Sequence, residues 1–120
     1  MRVLRAVNRR GPILGDRITV ADRWWQRFKG LLGRKDLAPG EGLLLQPCRS
    51  VHMLGMRFPL DVAFLDREGT VVAAYPNLRP GSRTRWHQRA ASALELPAGT
   101  LAVSETREGD QIVWTEEGRP

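Results

Sequence analysis

The stretch Leu60-Asp61-Val62-Ala63-Phe64-Leu65-Asp66-Arg67-Glu68-Gly69-Thr70-Val71-Val72-Ala73-Ala74-Tyr75 decides the fold. Two apolar runs rich in β-branched and aromatic residues flank the polar segment Arg67-Glu68-Gly69-Thr70, which is the pattern of a β-hairpin. Outward from it, turn signals recur along the chain: Gly11-Pro12, Gly15-Asp16, Pro39-Gly40, Pro76-Asn77, Pro80-Gly81, Pro97-Ala98-Gly99 and Glu108-Gly109-Asp110. Punctuation of this kind suits short strands joined by tight turns. Strands are expected over 2–7, 17–20, 42–46, 60–66, 70–75, 91–96 and 111–115. Trp24, Phe28 and Leu31 recur at i, i+4 and i+7, with Asp22 at the start and Gly30 at the end, so a helix is expected over 21–30. A second, shorter helix is expected over 98–106, with Leu101 and Glu105 on one face and Gly109 closing it. The fold class is therefore α+β: a mainly antiparallel, small, barrel-like sheet with one or two short helices.

With 120 residues the chain has the length of one independent core, expected over 1–120, and leaves no room for a multidomain enzyme. Its longest apolar run, Val71 to Tyr75, falls far short of the ~20 residues needed to cross a bilayer. The amino terminus is basic but lacks the apolar stretch and cleavage site of a secretory signal, which makes a cytoplasmic product the expectation. Cys48 is the one cysteine, so stability is expected to come from packing and not from a disulfide.

The net charge of +6 is polarised. Residues 1–60 carry 12 Lys and Arg against 4 acids, and residues 61–120 carry 7 against 9. Arg2, Arg5, Arg9 and Arg10 form one cluster, and Arg79, Arg83, Arg85 and Arg89 gather around Trp86 and His87. Arginine interleaved with aromatics can hold phosphates and stack on unpaired bases, so nucleic-acid binding is one reading. The excess of Arg over Lys, 17 to 2, also fits a general codon bias in a Gly-, Ala-, Leu- and Pro-rich chain, and charge alone favours an ordinary basic surface.

A series of motifs is more specific. Gly30-Leu31-Leu32-Gly33-Arg34, Gly42-Leu43-Leu44-Leu45, His52 with Met56, Pro59-Leu60-Asp61, Leu94-Glu95-Leu96-Pro97-Ala98-Gly99 and Gly109-Asp110 follow one another in order. Together they resemble the family known as domain of unknown function 192, over roughly residues 17–114. Leu32 stands where that family usually has Met and Pro97 where Asn is commoner. The middle motif is His-x-x-x-Met-Arg-Phe-Pro where others have Phe-x-Met-Lys-Asn. The resemblance implies a compact β-rich barrel with no established activity, and it favours a special placement for Glu95.

Candidate site residues cluster around the bend between Cys48 and Asp61. His52 and Asp61 lie nine residues apart across Gly55 and Pro59, so the chain could bring an imidazole to a carboxylate that fixes its tautomer and raises its basicity. Otherwise Asp61 caps the turn and His52 bonds backbone. Met53, Met56 and Phe58 suit an adaptable apolar pocket or ordinary core. Arg57 is placed to pair with Asp61 or with an anionic ligand. Glu95 faces solvent by strand alternation, or needs a partner such as Arg57 if it points inward. Asp110 is expected to accept backbone N–H bonds at the start of the last strand. Cys48, His52 and His87 could form a soft metal site, but no metal-ligand spacing supports it, and Arg49 could activate the Cys48 thiol, where a buried inert cysteine is the usual case.

No nucleophile motif, phosphate loop or dinucleotide fingerprint is present, and no cofactor or metal is called for. The expectation is a binding or accessory module for a small ligand or protein partner, its site lined by His52, Met56, Arg57, Asp61 and Glu95. The alternatives are a small hydrolase or lyase using His52 and Asp61, and nucleic-acid binding through the arginine clusters.

Overall fold

The hairpin forms where its sequence places it. In the computed structural model, which describes residues 2–23, 31 and 33–116, β4 (Leu60–Leu65) pairs antiparallel with β5 (Val71–Leu78). Asp66 Oδ1 accepts the N–H of both Glu68 and Thr70, and Gly69 takes the left-handed conformation that a glycine adopts without steric cost. The other strands are β1 (Val3–Asn8), β2 (Ile13–Ala21), β3 (Glu41–Leu45), β6 (Ser92–Pro97) and β7 (Ile112–Glu116). Among the described residues there is one short helix, α1 (Thr100–Val103).

The seven strands make one sheet in the order β5-β4-β6-β3-β2-β1-β7. It is mixed: β2 and β3 run parallel, from Arg17 opposite Glu41 to Ala21 opposite Leu45, and the other neighbours run antiparallel. A parallel pair needs a crossover of roughly a dozen residues or more, supplied here by the segment between β2 and β3. Of the helix expected over 21–30, Ala21 ends β2, residues 24–30 lie outside the described residues, and Leu31 is buried. The sheet curls into a half-barrel whose outer strands meet at one end. Thr70 bridges Gln111, the Val71 N–H donates to Asp110 O (2.8 Å) and the Ile112 N–H donates to Gly69 O (2.9 Å).

Two turn signals turn out to lie inside strands. Gly15-Asp16 is part of β2, where a side chain at Gly15 would put its Cβ 2.9 Å from Gly40 O; the glycine marks a close approach of chains, not a turn. Pro76-Asn77 is part of β5, an outer strand, where a residue without an N–H is tolerated. The second helix is shorter than 98–106, because Glu105 adopts a left-handed φ of 53° just after it.

β4 and β6 are central and buried on both faces, so the sheet separates two cores. The inside of the curl draws on every strand: Leu4, Leu14, Ile18, Leu44, Ala63, Leu65, Val71, Leu94, Leu96 and Ile112, closed by Leu101 of α1. The outer face of β3, β4, β5 and β6 carries Leu43, Leu45, Val62, Phe64, Ala73 and Ala93, covered by Leu31, Leu37, Val51, Met53 and Ala90. Segments 48–53 and 81–91 run against each other over this second core. Met53 N–H donates to Ser82 O (2.7 Å), Thr84 N–H to Val51 O (2.8 Å), His87 N–H to Arg49 O (2.8 Å) and Cys48 N–H to Ala91 O (3.1 Å).

Candidate functional site

The expected pairing of His52 with Asp61 is not formed. Side chains alternate along β4, and Asp61 shares the inner face with Ala63 and Leu65. There it is fully buried, and its carboxylate accepts three backbone N–H groups: Asn77 on Oδ1 (2.8 Å), Gly99 (3.1 Å) and Leu101 (2.8 Å) on Oδ2. It thus holds the start of α1 and the left-handed Asn77 (φ 52°) of β5, a structural task. His52 sits on the far side of the sheet. Its neighbours Val51 and Met53 are buried in the second core, its own side chain is exposed, and its backbone bridges Arg83. The base-and-orienter arrangement of a hydrolase or lyase is therefore absent at this pair.

The other three expected residues are also apart. Arg57 is exposed, and the ion pairs among the described residues are Arg10–Asp110, Arg17–Asp16 and Arg34–Glu41, so the Arg57–Asp61 bridge is not made. Met56 is half-buried and packs with Phe58 against the second core. Glu95 points inward: it is 6% exposed, faces the second core beside Ala93, and stands between Leu43 and Val62 on the neighbouring strands. It has no hydrogen-bond or ionic partner among the described residues. Burial alone pushes its carboxyl up to about 7. Asp110 does what its turn predicts. It accepts the Arg107 N–H (3.0 Å), and its bonds to Arg10 and Asn8 help hold it at about 2, the Arg10 contact being the main cause.

His87 has a packing role that its place in an arginine cluster does not advertise. It is buried, its Nε2 lies 2.6 Å from Tyr75 Oη, and its ring centroid is 4.6 Å from that of Phe64. Burial, with help from the Arg85 charge, lowers its pKa and favours neutral imidazole. Cys48, His52 and His87 thus form no common site. Cys48 donates its thiol to Ser50 O (3.1 Å).

Among the described residues, two adjoining clefts lie elsewhere. A cleft of about 810 Å³ opens between the 47–50 segment, the 66–68 turn and the 86–91 segment, with Arg49, Arg67 and Arg89 on its walls. Trp86 stands at its edge, 58% exposed, with the Arg49 guanidinium 5.9 Å from its ring centroid. Arg49 is tethered by its Nε, which donates to Ala90 O (3.1 Å). A second cleft of about 380 Å³, lined by Arg2 and Trp114, adjoins the first across the same turn, and both are lined by Asp66, Arg67, Glu68 and Ala91. None of the five expected site residues lines either cleft. The signal in the sequence was Trp86 itself, a large aromatic in Arg83-Thr84-Arg85-Trp86-His87-Gln88-Arg89 with no apolar residue at i±2 to share a strand face. Arg49 and Arg67 carried no such signal.

The model of the domain of unknown function 192 family, described as "Uncharacterized ACR", matches residues 6–114. The chain belongs to this family. Two solved structures share the fold of this family member. One, a protein of unknown function from Novosphingobium aromaticivorans DSM 12444, is 22% identical with a TM-score of 0.80, over 93% of this chain and 84% of that one. The other, from Sinorhizobium meliloti 1021 and described provisionally as a transcription regulator, is 28% identical with a TM-score of 0.75, over 94% and 92%. No curated protein matches the chain. No helix among the described residues is long and apolar enough to cross a membrane.

Proposed function

We propose that this family member is a binding module for an anionic ligand, and that the ligand occupies the cleft beside Trp86. The observation that carries the reading is the Arg49–Trp86 pair. Trp86, 58% exposed on the lining of the cleft, offers a large flat ring with a cation beside it. The guanidinium 5.9 Å from its ring is tied to Ala90 O and so held in place before any ligand arrives. Arg67 and Arg89 add two planar donor forks suited to carboxylate or phosphate oxygens.

Titration with sodium pyrophosphate, followed by amide chemical-shift mapping, tests the site. Shifts are expected at Arg49, Arg67, Trp86 and Arg89, and loss of one charge-assisted contact in Arg49→Ala weakens binding about tenfold or more. Shifts centred on His52, Met56 and Arg57 would return the site to the segment expected from the sequence, and no shifts anywhere would remove the binding reading.

A further inference from the structure

Resting on that reading, we propose that the ligand is a single-stranded nucleic acid, laid across both clefts with one base on Trp86 and its phosphates on Arg67 of the 66–70 turn and on Arg49, Arg89 and Arg2 around it. The turn that ends β4 forms the shared wall of the two clefts, so the concave surface does not stop where a mononucleotide would end. Each side offers an aromatic ring and a cation. Trp86 stands exposed with Arg49 and Arg89 on one side; on the other Trp114, partly buried against the inner core, lines the cleft with Arg2, and Arg67 lies on the wall between them.

Stacking platforms joined by guanidiniums suit a strand whose bases are free to turn outward, because every base has a π-face. A duplex hides those faces and presents groove edges instead. The acids on the shared wall do not cancel the cations. Asp66 and Glu68 oppose four arginines, and Asp66 Oδ1 is already bonded to the Glu68 and Thr70 N–H groups. The amino-terminal arginines contribute unequally. Arg10 pairs with Asp110, Arg9 bonds Gln111 and Arg5 lines a separate hollow with Arg17, so Arg2 is the member of that cluster that lines these two clefts.

The test is fluorescence anisotropy of the full chain with labelled, unstructured oligodeoxythymidylate and oligouridylate of roughly 12 nucleotides, a length within the usual site size of single-strand binders. Both single strands are expected to bind at least tenfold more tightly than a duplex of equal length or thymidine monophosphate. The affinity should fall with salt at a log–log slope of about −0.7 per phosphate neutralised. Trp86→Ala should weaken binding by ~5- to 150-fold, as loss of one stacked base does. Arg67→Ala should flatten the salt slope by about 0.7. Both residues are exposed, and Arg107→Ala, outside both clefts, is the charge-matched control expected to change neither quantity.

Equal affinity for the monophosphate, preference for duplex, or equal competition by oligoglutamate would each overturn the single-strand assignment. Any of these, seen together with pyrophosphate shifts at Arg49 and Trp86, would leave the anion-binding reading standing. A tight complex indifferent to both Trp86→Ala and Arg67→Ala would overturn the placement on this surface.

Discussion

Asp61 and Glu95 are buried acids on adjacent strands of one sheet, and their surroundings are opposite. Asp61 lies on the inner face with three backbone N–H groups on its carboxylate; Glu95 lies on the outer face between Leu43 and Val62 with no polar partner among the described residues. The first carboxylate replaces its lost hydration with fixed donors, while the second meets desolvation alone and is driven toward its neutral form. Burial of a charge-bearing group therefore says little by itself. What decides whether it holds the fold together or works against it is the set of donors around it.

The contrast can be broken most severely at Asp61. Asp61→Ala strands the buried Leu101 N–H and frees those of Gly99 and Asn77, and the expected loss is on the order of 4 kcal/mol in urea unfolding. Melting of α1 should accompany it, seen as lost amide protection at Leu101 and Val103. A loss below about 1 kcal/mol would mean that water replaces the carboxylate.

Glu95 predicts the reverse sign. Its folded-state pKa of about 7 lies above the ordinary 4.5, so the folded protein holds the proton more tightly than the unfolded chain does. Its contribution to stability is full below about pH 4.5 and is lost as the pH rises through about 7. Glu95→Gln, which carries no charge, should therefore match the parent near pH 4.5. It should exceed it by on the order of 3 kcal/mol at pH 8, measured by denaturant unfolding at both values. Parallel stability profiles for the two proteins would show that the carboxyl finds a partner after all.

Asp110 lies between the two extremes. It has donors from Arg10, Arg107 and Asn8 but keeps contact with water, so Asp110→Asn should cost about 1 kcal/mol at neutral pH, the usual worth of a capping contact. Because its pKa is lowered from 3.8 to about 2, that contribution is present above the ordinary value and fades as the pH falls through about 2. Acid unfolding curves of parent and variant should converge there; a gap that persists would place the contribution in packing.

The same residues show how far the sequence could be read. The hairpin was legible because its apolar runs and polar turn are local, and so were the approximate positions of all seven strands. The inward turn of Glu95 was not, because alternation separates faces only when one face of a strand meets water, and β6 is buried on both. Nor was the task of Asp61, whose donors come from residues 77, 99 and 101; the nearby His52 invited a pairing that the alternation of β4 forbids. The parallel pairing of β2 with β3 leaves no mark in composition. Gly15 is as glycine-like in a close approach of chains as in a turn, which is why β2 begins earlier than its apolar pattern suggests. The cleft beside Trp86 is built from segments 47–50, 66–68 and 86–91, and only their packing brings them together.

β1 lies between β2 and β7, so Leu4 pairs with Glu116 at the opposite end of the described chain. During synthesis one edge of β1 therefore waits, its hydrogen-bonding groups bare, until β7 has been made. The pairing of β1 with β7 joins residues far apart in sequence, the kind of contact that slows folding and leaves an unpaired strand edge open to neighbouring chains on the polysome.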